Sequence, residues 1–140
     1  MASDTIDISL PARHHQLGKK HPLSQVTDEL RSIFKRLGFV ERFGPEIESD
    51  YYNFTALNLG ELHPARAMHD SFYLAYPEAH LLRTHTSSVQ IRAMEKAKPP
   101  LKIFTIGKAY RADSDATHTP MFHQIEVFYI DTSYEPTLHY

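Results

Sequence analysis

An α+β fold is predicted by three features of the sequence. A six-residue apolar stripe with helical spacing lies between positions 23 and 37. Two β-rich segments flank a polar loop between 101 and 131. The 140 residues are 41% hydrophobic and 23% charged, which is ordinary for one globular domain. Together they predict an antiparallel sheet flanked by helices.

Residues 1–20 are expected to form an arm and linker. Ile6, Ile8 and Leu10 alternate with polar residues, as in a short extended segment. Pro11, two histidines, Gly18 and two lysines follow. The helix comes next. Leu23, Val26, Leu30, Ile33, Phe34 and Leu37 recur at steps of three and four and mark one face. Pro22 suits the first turn, where its missing N–H costs nothing. Gly38 suits the left-handed terminating position. Burial of that stripe contributes on the order of 10 kcal/mol before entropy is subtracted, so a sheet or a partner helix must cover it.

Phe39 to Phe43 is expected as a strand stopped by Gly44-Pro45. Glu46 to Asp50 is acidic and extended, Tyr51 to Leu57 a short helix, and 58–70 a loop. Asp70 to Leu74 and Leu81 to His85 are expected as short strands joined by a Pro-containing turn. Thr86 or Ser87 can cap a helix running to about Ala97, which Lys98-Pro99-Pro100 ends. Leu101 to Arg111 and Met121 to Asp131 are expected to pair as a long antiparallel hairpin around the loop Ala112 to Pro120.

Composition excludes several function classes. No cysteine is present, so disulfides and thiolate metal sites are ruled out. The net charge of −2, from 15 basic and 17 acidic side chains, is unlike that of a general nucleic-acid binder. Ten histidines titrate at about pH 6.5 when unperturbed, so the net charge changes sign there. The longest apolar run, Phe72 to Tyr76, falls far short of the roughly 20 residues of a membrane helix. Met1-Ala2-Ser3-Asp4 does not open a signal region, and a cytoplasmic location is expected. Gly-rich phosphate loops, His-Glu-x-x-His and G-x-S-x-G patterns are absent. His118 and His123, or His14-His15, do not make a zinc site, and no metal ligands are assigned.

Strand alternation places Phe122, Gln124 and Glu126 on one face of the hairpin. Arg111 and Asp113 share a face if the first strand persists that far. A ring, an amide, a carboxylate and a guanidinium together suit a flat ring, an ammonium and an anion. A nucleotide with an amino acid would satisfy all three. A half-exposed sheet with cross-strand ion pairs accounts for the same spacing. His85 and Ser87 fall on one side if their strand continues to Ser87. Otherwise Thr86 and Ser87 simply cap the next helix.

Longer strings carry a resemblance. His21-Pro22-Leu23, Gly44-Pro45-Glu46-Ile47-Glu48, Tyr51-Tyr52-Asn53-Phe54 with Ala56-Leu57-Asn58, and His63-Pro64-Ala65-Arg66-Ala67-Met68 occur in order. Leu82-Arg83-Thr84-His85-Thr86-Ser87, Tyr110-Arg111-Ala112-Asp113-Ser114-Asp115-Ala116-Thr117-His118 and Phe122-His123-Gln124-Ile125-Glu126 follow. From 20 to about 131 the chain resembles the alpha subunits of bacterial phenylalanyl-tRNA synthetases, which are class II enzymes. The resemblance implies part of a catalytic domain over 21–131, with motif 1 (a subunit interface) near the helix ending at Gly38 and motif 2 (ATP) around Arg111. The family's Gly-rich third motif lies outside the matched stretch. Val127 stands where the family usually has Gly, and the tail 132–140 diverges.

The resemblance also implies roles. Arg111 is the catalytic contact to the α-phosphate. Phe122 stacks on adenine, Asp113 receives its amino group, and His118 reaches the terminal phosphates. His85, Ser87, Gln124 and Glu126 hold the amino acid, with Gln90 and His69 as further members of that pocket. ATP with Mg²⁺, phenylalanine, tRNA(Phe), a beta subunit and a second alpha subunit are the implied ligands and partners. A shortened non-catalytic paralogue that binds nucleotide or amino acid, and a dimerisation module, stay open as alternatives.

Overall fold

The computed structural model describes residues 9, 17–66, 71–75, 79–113 and 115–132. Most of the expected arm, His69, the turn around Pro77 and the tail beyond Thr132 lie outside them. Helix α1 spans Pro22–Arg36, with Pro22 at its first turn and the His21 ring accepting from the Leu23 amide. Gly38 takes φ 82° just past its end, the left-handed conformation that glycine adopts without a Cβ penalty.

Strand β1 (Val40–Glu41) follows, shorter than the expected 39–43. Beyond it the chain leaves the sheet, with the Arg42 amide still bonded to the Phe104 carbonyl. Strand β2 (Ile47–Ser49) leads into helix α2 (Asp50–Asn53) and a 3₁₀ turn at Thr55–Leu57, so the helix expected at 51–57 is split. A second 3₁₀ turn, Pro64–Arg66, lies in the segment expected to be loop.

Strand β3 is His80–Leu82. It pairs antiparallel with β2, and backbone bonds from Leu74 to His80 and from Leu82 to Phe72 supply the expected local partner. It stops three residues short of His85. Helix α3 is Ser88–Met94, shorter than expected at its C-terminal end. Neither Thr86 nor Ser87 caps it, because both side chains bond across to the hairpin instead.

Strands β4 (Leu101–Tyr110) and β5 (Met121–Ile130) form the expected antiparallel hairpin, in register from Leu101↔Ile130 to Tyr110↔Met121. Strand β1 adds to the other edge of β4 in parallel, giving the order β1-β4-β5. The core lies between the hairpin, α3 and the β2–β3 pair. It joins Phe54, Leu81, Val89, Ile103, Phe104 and Ala109 with buried Glu48, Asn53, Arg83, Thr84 and Thr86. Helix α1 is covered only at its centre. Phe34 stacks on Phe104 with centroids 5.4 Å apart, while Leu23, Val26 and Leu37 stay 40–59% exposed. Among the described residues no helix is long and apolar enough to cross a membrane.

Candidate active site

The register of the hairpin sets the floor of the site. Thr105 lies opposite Glu126, Gly107 opposite Gln124 and Ala109 opposite Phe122. Opposed residues in an antiparallel pair point to the same face. Across from Phe122, Gln124 and Glu126 the sequence therefore places small residues, which leave room for the 83–87 segment to pack against this face, with Thr105 and Ala109 buried beneath it. Strand β4 ends at Tyr110, so Arg111 and Asp113 stand in the loop and not on a strand. Arg111 nevertheless reaches the expected face. Its Cζ lies 5.2 Å from the centre of the Phe122 ring, and its Nε donates to the Thr84 carbonyl at 3.3 Å. The residue is exposed, and a guanidinium so placed can donate its outer N–H groups to an anion.

The wall is the segment 83–87. Strand alternation does not orient it, since β3 ends at Leu82. Side-chain hydrogen bonds do. Asn53, fully buried, donates to Thr84 Oγ1 at 3.0 Å and accepts from the Thr84 amide at 3.2 Å. Gln124 Oε1 accepts from the Thr86 amide at 3.0 Å. Glu126 Oε1 accepts from Ser87 Oγ at 2.8 Å. The segment is thereby pinned over the Gln124–Glu126 half of the floor. Gln90, on α3, lines a small crevice with Glu126, Thr105 and Phe128.

His85 sits in this wall with both ring nitrogens buried and without a hydrogen-bond partner among the described residues. Buried polar atoms are nearly always paired, and the polar groups acting on this imidazole are the Asn53 backbone and the Glu126 carboxylate. Burial pushes its pKa below the ordinary 6.5, and Glu126 acts in the opposite sense. A depressed histidine is neutral when folded, while the unfolded chain takes up a proton near 6.5. Stability is therefore expected to fall as pH drops through that value and to level off below the folded-state pKa. Urea unfolding between about pH 7 and 5 checks this, with a shallower slope expected for His85→Gln. Equal slopes in both proteins would contradict it.

The loop residues are less engaged. Asp115 bonds His118 Nδ1 at 2.6 Å and also accepts from the amides of Thr117 and His118. These bonds, led by the Thr117 hydroxyl, hold the Asp115 carboxyl below its ordinary pKa. His118 is thus held by its own loop and, like Asp113, is exposed. His69 lies outside the described residues. Among those described, no group of three or more acidic or histidine side chains is placed to hold a metal ion.

Three structural residues escaped sequence reasoning. Asn53 and Arg83 were visible only as parts of the matching strings, and nothing in their spacing announces burial. Glu48 is completely buried in β2 and takes both Arg92 N–H groups, at 3.0 and 2.7 Å. It stands in the acidic run Glu46-Ile47-Glu48-Ser49-Asp50, and nothing in that run distinguishes it from its less buried neighbours.

Comparison with known proteins bears on the family and the fold. Residues 5–137 match the family model of the tRNA synthetase class II core domain (F). The chain is 59% identical over 135 residues to the phenylalanine–tRNA ligase alpha subunit of Novosphingobium aromaticivorans and 54% identical over 134 residues to that of Rickettsia africae. Each comparison covers 94% of this chain, but the chain spans only 37–38% of those relatives' length. In solved structures, pyrrolysyl-tRNA synthetase from Desulfitobacterium hafniense superposes with a TM-score of 0.62 at 23% identity, over 76% of this chain and 38% of that one. That likeness concerns the fold. The family match covers nearly the whole sequence and the folds agree, so this chain belongs to the class II core domain family of tRNA synthetases.

Proposed function

We propose that this chain is the phenylalanine- and ATP-binding segment of a phenylalanine–tRNA ligase alpha subunit, with residues 21–131 carrying the first two class II motifs. The reading is supported above all by one juxtaposition: the Arg111 guanidinium over Phe122, on the same face as Gln124 and Glu126. In it, adenine stacks on Phe122 with Asp113 at its amino group, and Arg111 meets the α-phosphate, where charge develops as the phenylalanine carboxylate attacks. His118 lies in the loop that would follow the terminal phosphates. His85, Ser87, Gln124 and Glu126 receive the amino acid, with the free Glu126 oxygen facing the ammonium. Gln90 and His69 complete that pocket. Mg²⁺ arrives with ATP as part of the substrate, held chiefly by phosphates and water. No protein nucleophile is needed, because positioning and electrostatics supply the catalysis. Transfer to tRNA(Phe), a beta subunit, a second alpha subunit and a cytoplasmic setting belong to the same reading.

Phenylalanine-dependent ATP–pyrophosphate exchange tests it, with an authentic alpha–beta synthetase as positive control and this chain assayed with and without a beta subunit. Exchange in either condition supports the reading. Absence of exchange together with absence of ATP and phenylalanine binding overturns it. Glu126→Gln should raise the phenylalanine Kd by about 10- to 100-fold, the effect of losing one charge-assisted contact, while the ATP Kd stays within about twofold. The amide can still accept from Ser87, so an equal loss for both ligands would mean that the wall has collapsed.

One observation favours a second reading. The exposed Leu23, Val26 and Leu37 on α1 suit a chain whose main task is association through the first motif, with the ligand contacts idle. Concentration-dependent mass with no ligand binding would select it.

A further inference from the structure

Arg83 is 3% exposed and touches neither Phe122 nor Glu126 by hydrogen bond. Its guanidinium lies between β4 and the 44–45 segment instead. Nε donates to the Lys108 carbonyl at 2.8 Å, and Nη1 is shared between the Gly44 and Pro45 carbonyls at 3.3 Å each. Its backbone repeats the pattern. The Arg83 amide donates to the Glu46 carbonyl, and the Arg83 carbonyl accepts from the Tyr110 amide, both at 2.9 Å. A single residue therefore ties the 44–46 segment to β4 at the point where the wall begins.

The guanidinium can lie there only because position 107 has no side chain. A Cβ on Gly107 would stand 2.0 Å from Nη2 and 3.2 Å from Cζ. Gly107 is not in a left-handed conformation; among the described glycines only Gly38 has positive φ. Its need is space. The same glycine faces Gln124, which holds the Thr86 amide. Arginine is the residue suited to three carbonyls in two directions, since its fork offers fixed donors that a lysine ammonium cannot reproduce.

We propose that Arg83 is a positioning residue that sets the height of the His85–Ser87 wall above the Gln124–Glu126 floor, and that Gly107 is glycine to admit its guanidinium. In the absence of ligand the pair defines the width of the cleft, which deepens the reading of this face as the amino-acid site and rests on it for function. The Arg83–Gly107 clasp is itself a property of the bare chain.

The test uses the full 140-residue chain as wild type, Arg83→Lys, Gly107→Ala and the double variant. Amide hydrogen exchange by NMR is the ligand-free readout. In each single variant, protection of the Thr86 amide should fall by about tenfold or more, the order expected for losing a charge-assisted bond, with amides in the middle of β4 unchanged. Lysine leaves the space that Nη2 occupied, so adding Gly107→Ala to Arg83→Lys should cost little more than Arg83→Lys alone, a non-additivity expected only of groups in contact. Unchanged Thr86 protection, equal loss at every amide, or simple additivity would overturn the proposal. Phenylalanine titration of the folded proteins separates it from the functional reading. A wild type that fails to bind phenylalanine counts against that reading while the exchange pattern still decides the clasp. A wild type that binds, with single variants that bind equally well, counts against Arg83 as a positioning residue. A Kd raised in the single variants, and raised no further in the double, supports it.

Discussion

Arg111→Ala is expected to reduce ATP-dependent activation of phenylalanine by about 100-fold or more, the usual effect of deleting one preorganised contact to developing charge. Stability should change by less than about 1 kcal/mol. The side chain is exposed and gives up one long bond, 3.3 Å to the Thr84 carbonyl, and its contact with Phe122. ATP titration followed by pyrophosphate exchange checks both halves of the statement. An unchanged ATP isotherm would remove Arg111 from the site. Phe122→Ala should weaken ATP without affecting phenylalanine, which distinguishes loss of the stack from loss of the anion contact.

Arg92→Ala carries the largest expected effect on folding. Glu48 is fully buried and has both carboxylate oxygens on Arg92. The guanidinium also lies 3.8 Å over the Tyr52 ring, and the Tyr52 hydroxyl donates to Glu95. The bond to Glu48 holds the Arg92 pKa above its ordinary value. Removing Arg92 leaves a carboxylate in the core without its partner, which costs about 3 kcal/mol, within the range for breaking buried pairs. For a domain of this size that corresponds to a fall in Tm of roughly 10 °C. Equilibrium urea unfolding measures the first quantity and calorimetry the second. The double change Glu48→Gln with Arg92→Met should be milder than Arg92→Ala, because no unpaired charge remains. A double variant as unstable as the single would show that packing, not charge, dominates there. The consequence reaches the site, since the Glu48–Arg92 pair fastens α3 to β2 on either side of the 83–87 wall.

The hairpin was legible because alternation is a local property. β4 and β5 are two β-rich runs of ten residues on either side of a polar loop, and the face on which Phe122, Gln124 and Glu126 lie follows from counting along one strand. Helix α1 was legible for the same reason, from its stripe, Pro22 and Gly38. The wall was not. Continuation of a strand through His85 to Ser87 was the natural extrapolation, yet the register with β2 ends at Ile47↔Leu82, and one further backbone bond, from the Arg83 amide to the Glu46 carbonyl, closes that ladder. Past that point the backbone is directed by Asn53, Gln124 and Glu126, residues 31 to 39 positions away from those they hold. Capping by Thr86 and Ser87 lost to these distant acceptors for the same reason.

From the residues alone came the elements with internal period and the face on which the ligand-type side chains stand; the longer strings supplied the family and its assigned roles. Tertiary structure alone decided that Arg111 reaches Phe122 from a loop, that both His85 ring nitrogens are buried, and that Arg83 spans Gly107. Periodicity encodes which way a side chain points along one element. Burial and long-range bonding depend on which elements meet, and that is set only when the whole chain has folded.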